Sequence, residues 1–67
     1  MRRTIVQHTI YSRETDLLEH IRWCRDNLGA RDINWDFSGG LSNLTVFVFD
    51  PDAAVFYCLK FPKAVAV

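Results

Sequence analysis

The sequence has little of what holds many small proteins together outside a hydrophobic core. Its 67 residues include only two cysteines, Cys24 and Cys58, and no C-x-x-C or H-x-x-x-H pair. A metal site would need both cysteines together with His8 and His20. Cys24, however, falls in an apolar stripe, and His20 lies among charged residues. We therefore expect two core thiols, with no metal and no cofactor.

Net charge and long apolar runs are also missing. Eight basic and eight acidic residues give a formal net charge of zero. Nucleic-acid binding is therefore not favoured, since binding to phosphates usually needs excess positive charge. No apolar run reaches the ~18 residues of a membrane span. No apolar segment follows Met1-Arg2-Arg3, so a signal peptide is not expected. Together with reduced cysteines, this predicts a cytoplasmic protein.

Hydrophobic residues, in contrast, are abundant. They make up 49% of the chain and aromatic residues 13%, which argues against disorder. A chain of this length forms one domain, here residues 1–67, and buries only about 60% of its unfolded surface. Some of its apolar surface is therefore expected to be buried against another molecule.

The most apolar stretch, Leu44–Phe61, organises the chain. Its first part, Leu44–Phe49, is β-branched and aromatic and predicts a strand. Val46 and Val48 point to one face of that strand, and Phe47 and Phe49 to the other. A strand that is apolar on both faces is expected to be central and covered on both sides.

The second part of this stretch has two interpretations. Asp50 and Pro51 suit a turn leading into a second strand, Val55–Phe61. They equally suit a helix with Asp50 as N-cap and Pro51 in its first position. Pro62 would then end the helix, and we favour this interpretation. One side of the helix would carry Ala53, Phe56, Leu59 and Lys60, with Tyr57 beside them.

A resemblance to a family rests on the same residues. The pattern Phe47-x-Phe49-Asp50, then Asp52-Ala53, then Phe56-x-x-Leu59-Lys60-Phe61, resembles the C-terminal part of small uncharacterised proteins of tailed-phage genomes. It covers the last third of the chain and consists of common residue types. The family has no established activity, so the resemblance implies only an aromatic strand followed by a helix, and a viral origin. Tyr57-Cys58 lengthens the family's spacing by one position.

The first half of the chain predicts a strand and a helix. Arg2–Tyr11 alternates as a half-solvated strand. Ser12 is a suitable N-cap for a helix that runs to about Leu28 and ends at Gly29. Its apolar stripe predicts the face that packs on the sheet, and it consists of Leu17, Ile21, Cys24 and Leu28.

Two further segments complete the pattern. Asp32–Phe37 alternates as a second strand, with Ile33, Trp35 and Phe37 inward. The loop 38–43 then leads back to Leu44–Phe49. The tail, residues 63–67, is expected to fray unless it adds a short edge strand.

The expected fold is α+β: a small antiparallel three-stranded sheet with two helices on one face. The order is β-α-β-β-α, a truncated ferredoxin-like unit. A right-handed crossover places the first strand beside the third, with the second at an edge.

No group of residues predicts catalysis, so we expect no enzymatic activity. The expected function is protein–protein interaction or self-association as a homodimer, with sheet facing sheet. The candidate interface residues are Tyr11, Trp23, Phe47 and Phe49. The alternative is single-stranded nucleic-acid binding, in which aromatic residues of the sheet stack on bases. In that case Tyr11, Phe47 and Phe49 would stack, and Arg2, Arg3 and His8 would contact phosphates.

Overall fold

Residues 3–67 form two helices and an open antiparallel sheet of four strands. The computed structural model describes residues 3–67. The elements in chain order are β1 (Val6–Tyr11), α1 (Leu17–Asn27), β2 (Trp35–Gly39), β3 (Asn43–Val48), α2 (Pro51–Lys60) and β4 (Val65–Ala66). The strand order is β2-β3-β1-β4. The predicted α+β class is confirmed, as is the placement of the first strand beside the third. Arg2, which the first predicted strand included, lies outside the described residues.

The fourth strand corrects the prediction of a three-stranded sheet. Val65 and Ala66 pair with Gln7 and Val6, and the Val67 N–H donates to the Ile5 carbonyl at 2.8 Å. Without β4, the outer edge of β1 would be unpaired along its whole length, and pairing with the tail satisfies backbone groups at the start of that edge. A strand of two residues is too short for alternation to reveal it in the sequence.

One face of the sheet packs against both helices, as predicted. Alternate residues of β1 and β3, together with Trp35, point to this face and are buried. Helix α1 contributes Cys24 and Leu28 to the same core, and α2 contributes Ala53, Ala54 and Tyr57. The buried strand residues are Val6, Ile10, Trp35, Leu44, Val46 and Val48.

The opposite face of the sheet, here called the open face, is less apolar than predicted. Phe47 lies on it and is half-buried, while Phe49 lies beyond the end of β3. The row next to Phe47 is polar, and the Thr9 and Thr45 hydroxyls are 3.0 Å apart. Side chains of the neighbouring strands therefore shelter Phe47 in part, and the open face needs no large hydrophobic cover.

Helix α1 begins later than predicted, and its N-cap is Asp16 rather than Ser12. The Asp16 carboxylate accepts hydrogen bonds from the backbone N–H groups of Leu18 at 3.0 Å and Glu19 at 3.4 Å. Ser12 instead lies in a turn that the Glu14 N–H closes on the Tyr11 carbonyl at 2.9 Å. Both residue types suit an N-cap, and only the turn after β1 decides between them. The predicted end is confirmed, since Gly29 follows the helix with φ +97°.

Asp16→Ala is expected to lower the free energy of unfolding by about 1 kcal/mol, because two N–H groups of α1 lose their acceptor. Ser12→Ala is the matched control and is expected to change it by less than about 0.5 kcal/mol. Urea denaturation of the two variants measures both values. Equal losses would contradict the position of the cap.

The helical interpretation of residues 51–60 is confirmed. The Asp50 carboxylate accepts from the Ala53 N–H at 3.0 Å, and Pro51 occupies the first turn. The residues that the sequence groups on one side are divided between the core and the solvent, however. Ala53, Ala54 and Tyr57 are buried, whereas Phe56 and Leu59 are exposed. The helix is rotated so that the Tyr57 hydroxyl reaches polar partners inside the protein, described below.

The second strand begins at Trp35 rather than at Asp32. Asp32 has φ +70°, and its N–H donates to the Trp35 carbonyl at 2.7 Å, so residues 32–34 form a turn. This turn leaves Ile33 68% exposed, which corrects its predicted inward position. Trp35 is buried as predicted.

Candidate functional site

Two histidines and a tyrosine meet where the sheet packs against both helices. The Tyr57 hydroxyl lies 2.8 Å from His8 Nδ1 and 2.8 Å from His20 Nε2. Tyr57 comes from α2, His8 from β1 and His20 from α1. These three residues are here called the His–Tyr–His cluster. No other group of hydrogen-bonded side chains among residues 3–67 links three elements.

Local structure directs each member of the cluster inward. His8 occupies the row of β1 that faces the helices, between buried Val6 and Ile10. His20 lies one turn before Cys24 on the inner face of α1. Tyr57 is fully buried, and its hydroxyl forms one hydrogen bond with each histidine. Burial of these polar groups is therefore compensated by the bonds they form with each other.

The cluster is electrically neutral near pH 7. Burial, and to a smaller extent the nearby His8, lowers the pKa of His20 to about 4. Burial also lowers the pKa of His8, while Glu14 opposes that shift and Lys63 adds to it. Burial raises the pKa of Tyr57 above its usual range. Both imidazoles are thus uncharged, and the phenol keeps its proton.

An open pocket of about 410 Å³ lies beside the cluster. Here it is called the histidine pocket. Its apolar wall includes Phe61, whose ring centre lies 4.3 Å from that of His20. Glu14 and Lys63 contribute charged side chains to its lining. The lining residues are His8, Thr9, Ile10, Glu14, Thr15, His20, Phe61, Pro62 and Lys63.

A second feature is an apolar strip on α2. Val55, Phe56 and Leu59 point away from the sheet and are 62%, 48% and 76% exposed. These three residues are called the α2 outer face. Asp52 in the first turn and Lys60 in the last turn flank it at opposite ends. A shallow apolar hollow of about 390 Å³ adjoins it, and Ile5, Pro51 and Cys58 contribute to its lining.

The four predicted interface residues do not form one surface. Tyr11 and Phe47 lie on the open face, where Tyr11 is 39% exposed. The guanidinium carbon of Arg13 lies over the Tyr11 ring, 5.4 Å from its centre. Phe49 lies past β3, and its N–H donates to the Asn34 carbonyl at 2.8 Å.

Trp23 lies in the helical layer, away from the open face. It is half-buried and stacks on Phe56, with ring centres 5.9 Å apart. The edge of its ring also meets Phe61, with centres 5.0 Å apart. Trp23 therefore extends the core between the helices and supports one side of the α2 outer face.

The link of His8 and His20 to Tyr57 is not among the sequence predictions, in which both histidines are candidate metal ligands and His8 is also a candidate phosphate contact. Two signals point to it. His8 falls on the inward alternation of Val6 and Ile10, and His20 stands four residues before Cys24 of the apolar stripe. Inward histidines need partners, and Tyr57 is the hydroxyl-bearing residue on the helix opposite.

Both cysteines are free thiols. The four residues considered as metal ligands, Cys24, Cys58, His8 and His20, are not brought together in one metal site. Across residues 3–67, no group of three or more His, Cys, Asp or Glu side chains is arranged to hold a metal ion. Burial raises the pKa of the Cys24 thiol to about 12, so it stays protonated. Over the same range, neither helix has the length and apolar character needed to cross a membrane.

No family model, no curated protein and no solved structure matches this chain. The resemblance to proteins of tailed-phage genomes therefore stays a prediction.

Proposed function

We propose that this chain is a small, non-enzymatic protein-interaction module that associates with a second copy of itself through the α2 outer face. The observation that carries the proposal is the exposure of three large apolar side chains side by side on one helix. Solvent contact of this kind is unfavourable, and contiguous apolar patches commonly mark interaction sites.

The expected gain from covering this surface is large for so small a protein. Fully burying a large apolar side chain contributes about 1.5–3 kcal/mol. The whole domain is expected to be stable by only roughly 3–10 kcal/mol at this length. Val55, Phe56 and Leu59 are each about half or more exposed. Covering them would thus add a stabilisation that is a sizeable fraction of that total.

The charges at the two ends of the α2 outer face support a second copy of the chain as the partner that covers it. Asp52 and Lys60 lie at opposite ends of the α2 outer face, and both are exposed. When two copies of α2 pack antiparallel about a two-fold axis, Asp52 of each copy lies near Lys60 of the other. The formal net charge of zero adds no overall repulsion between the copies. One self-complementary surface is sufficient for such a dimer.

The α2 outer face is a better interface than the sheet face that the sequence predicted. Phe47 is half-buried among polar neighbours, whereas Leu59 is 76% exposed. The nucleic-acid alternative loses support as well, because His8 binds Tyr57 on the helical side and does not share a face with Phe47. We therefore do not retain base stacking as a second function.

Two finer assignments belong to the same proposal. The order βαββαβ and the strand order β2-β3-β1-β4 support a ferredoxin-like arrangement. The two free thiols support a reducing compartment such as the cytoplasm.

Sedimentation equilibrium at about 100 μM, well above a micromolar dissociation constant, is expected to show a dimer. Leu59→Asp is expected to give a folded monomer, because it places a carboxylate in the interface. Phe47→Asp is the matched change on the open face, and it should leave the dimer intact. A monomeric wild type, or a dimer lost only in Phe47→Asp, would contradict the proposed interface.

A charge exchange tests the antiparallel orientation. Asp52→Lys alone and Lys60→Asp alone each place like charges together and should weaken the dimer by a few-fold. The double variant restores opposite charges and is expected to regain most of the affinity. A double variant weaker than either single change would exclude this orientation.

A further inference from the structure

The two outer edges of the sheet differ in how their backbone groups are satisfied. In antiparallel pairing, the N–H and C=O groups of alternate residues point to the same neighbour. In β2, those of Trp35 and Phe37 point away from the sheet. The Asp32 N–H donates to the Trp35 carbonyl at 2.7 Å. The Asp36 carboxylate accepts from the Phe37 N–H at 2.8 Å. Local hydrogen bonds therefore occupy the first part of the β2 edge.

The outer edge of β1, in contrast, is open beyond the end of β4. The pairing of β1 with β4 stops at Gln7. The alternation that turns the backbone groups of Gln7 toward β4 turns those of Thr9 and Tyr11 outward as well. The Tyr11 carbonyl accepts from the Glu14 N–H at 2.9 Å. The Thr9 N–H, the Thr9 carbonyl and the Tyr11 N–H, here called the free β1 edge, meet no backbone partner within residues 3–67.

We propose that the extended carboxyl-terminal segment of a partner protein adds to the sheet as a short strand at the free β1 edge, antiparallel to β1. Unpaired donors and acceptors on an edge strand are the template for strand addition. The free β1 edge presents a donor, an acceptor and a donor in order, and an extended peptide backbone supplies the complementary groups. This site goes beyond the proposed self-association and uses no residue of the α2 outer face.

The position of β4 explains why the segment is antiparallel and why its end is bound. β4 already pairs antiparallel with β1 and fills the edge up to Gln7, so an added strand must stop opposite Thr9. Lys63 lies just before β4, and it lines the same two hollows as Thr9. Its ammonium group favours a terminal carboxylate at this end of the strand over the amino terminus that a parallel strand would place there.

The histidine pocket adjoins the free β1 edge and selects one side chain of the segment. Residues opposite each other in paired strands point to the same face. The last residue of the segment lies opposite Thr9, so the residue before it lies opposite Ile10 and points to the helical side. Ile10 and Phe61 give the pocket apolar walls, and its volume is about 410 Å³. An apolar penultimate residue therefore suits this site.

The probe is acetyl-threonyl-phenylalanyl-threonine with a free carboxylate, and the backbone amide signals of the wild-type protein are followed by NMR at pH 7. We expect saturable shifts of the Thr9 and Tyr11 N–H signals, with a dissociation constant of about 1–10 mM for so small a ligand. Hydrogen exchange of both groups is expected to slow in the complex, because each becomes hydrogen-bonded.

Two methylated forms of this peptide are a matched pair. In the proposed register, the backbone N–H of the last residue donates to the Thr9 carbonyl, whereas that of the middle residue points away from β1. N-methylation of the last residue is therefore expected to weaken binding about tenfold or more. N-methylation of the middle residue adds the same group and is expected to change the affinity by less than about twofold, since no hydrogen bond to the protein is lost.

Two variants test the protein side of the site. Thr9→Pro removes an outward N–H, which edge strands tolerate, and it is expected to abolish binding. Lys63→Ala is expected to remove the preference of the wild type for the free carboxylate over the carboxamide form of the peptide, which we expect to be about threefold.

Results on the wild type decide the proposal even when a variant fails to fold. Equal affinity for the two methylated peptides, or no saturable shift up to about 50 mM, well above the expected constant, would overturn it. Shifts confined to β2 or to the α2 outer face would do the same. Protection of the Thr9 N–H that grows with protein concentration in the absence of peptide would also overturn it, because a second copy of the chain would then cover the free β1 edge.

Discussion

Val46→Asp is expected to leave the protein unfolded at 25 °C, whereas Thr45→Asp is expected to leave it folded. Val46 is fully buried between the sheet and the helices. An unpaired carboxylate there costs several kcal/mol, which is comparable to the roughly 3–10 kcal/mol of stability expected for the whole chain. Circular dichroism and amide proton dispersion in NMR spectra measure the outcome.

Thr45→Asp is the matched control because it changes the neighbouring residue of the same strand. Thr45 points to the open face, where its hydroxyl lies 3.0 Å from that of Thr9. The variant loses this contact and some strand propensity, at a cost of about 1 kcal/mol. Unfolding of both variants would mean that the open face is also covered, and it would favour the sheet-to-sheet dimer.

The sequence sufficed where a residue's role depends on its immediate neighbours. Asp50 and Pro51 start α2, and Gly29 follows the end of α1, because caps act through backbone groups within a few residues. The placement of the first strand beside the third followed from the short connections and the handedness of the crossover.

The sequence failed where tertiary contacts outweigh local preference. The rotation of α2 depends on the bonds of Tyr57 to His8 and His20, which are 49 and 37 residues away along the chain. Apolar periodicity alone grouped Leu59 with Ala53 on one side of the helix, and it could not show which side these bonds turn inward. The interface was expected on the sheet for a separate reason, because Leu44–Phe49 is apolar on both faces.

Acidification from pH 7 to pH 5 is expected to destabilise the protein by about 2 kcal/mol, mostly through His20. The pKa of His20 is 6.5 as a free side chain and about 4 in the folded protein. Between these values the unfolded chain binds the proton and the folded chain does not, so the stability falls as pH falls. The stabilisation is fully present above about pH 6.5 and is lost progressively toward pH 4.

The groups around His20 account for the direction of this shift. The Tyr57 hydroxyl and the neutral His8 face it across the cluster, Cys24 lies one turn along α1, and no carboxylate within residues 3–67 pairs with it. A charged His20 would lose water without gaining a counter-ion, and with N–H at both nitrogens its Nε2 could no longer accept a hydrogen bond from Tyr57. His8 is shifted in the same direction, so it adds to the effect.

Urea unfolding at fixed protein concentration, at pH 7, 6 and 5, measures this effect. The range stays above the ordinary carboxylate pKa values of about 4, so Asp and Glu contribute little. His20→Gln keeps a side chain that can donate to Tyr57 but does not titrate. It is expected to reduce the pH dependence to the smaller part due to His8. A wild type whose stability is unchanged between pH 7 and pH 5, or a His20→Gln variant with an undiminished slope, would contradict the burial of a neutral imidazole at this position.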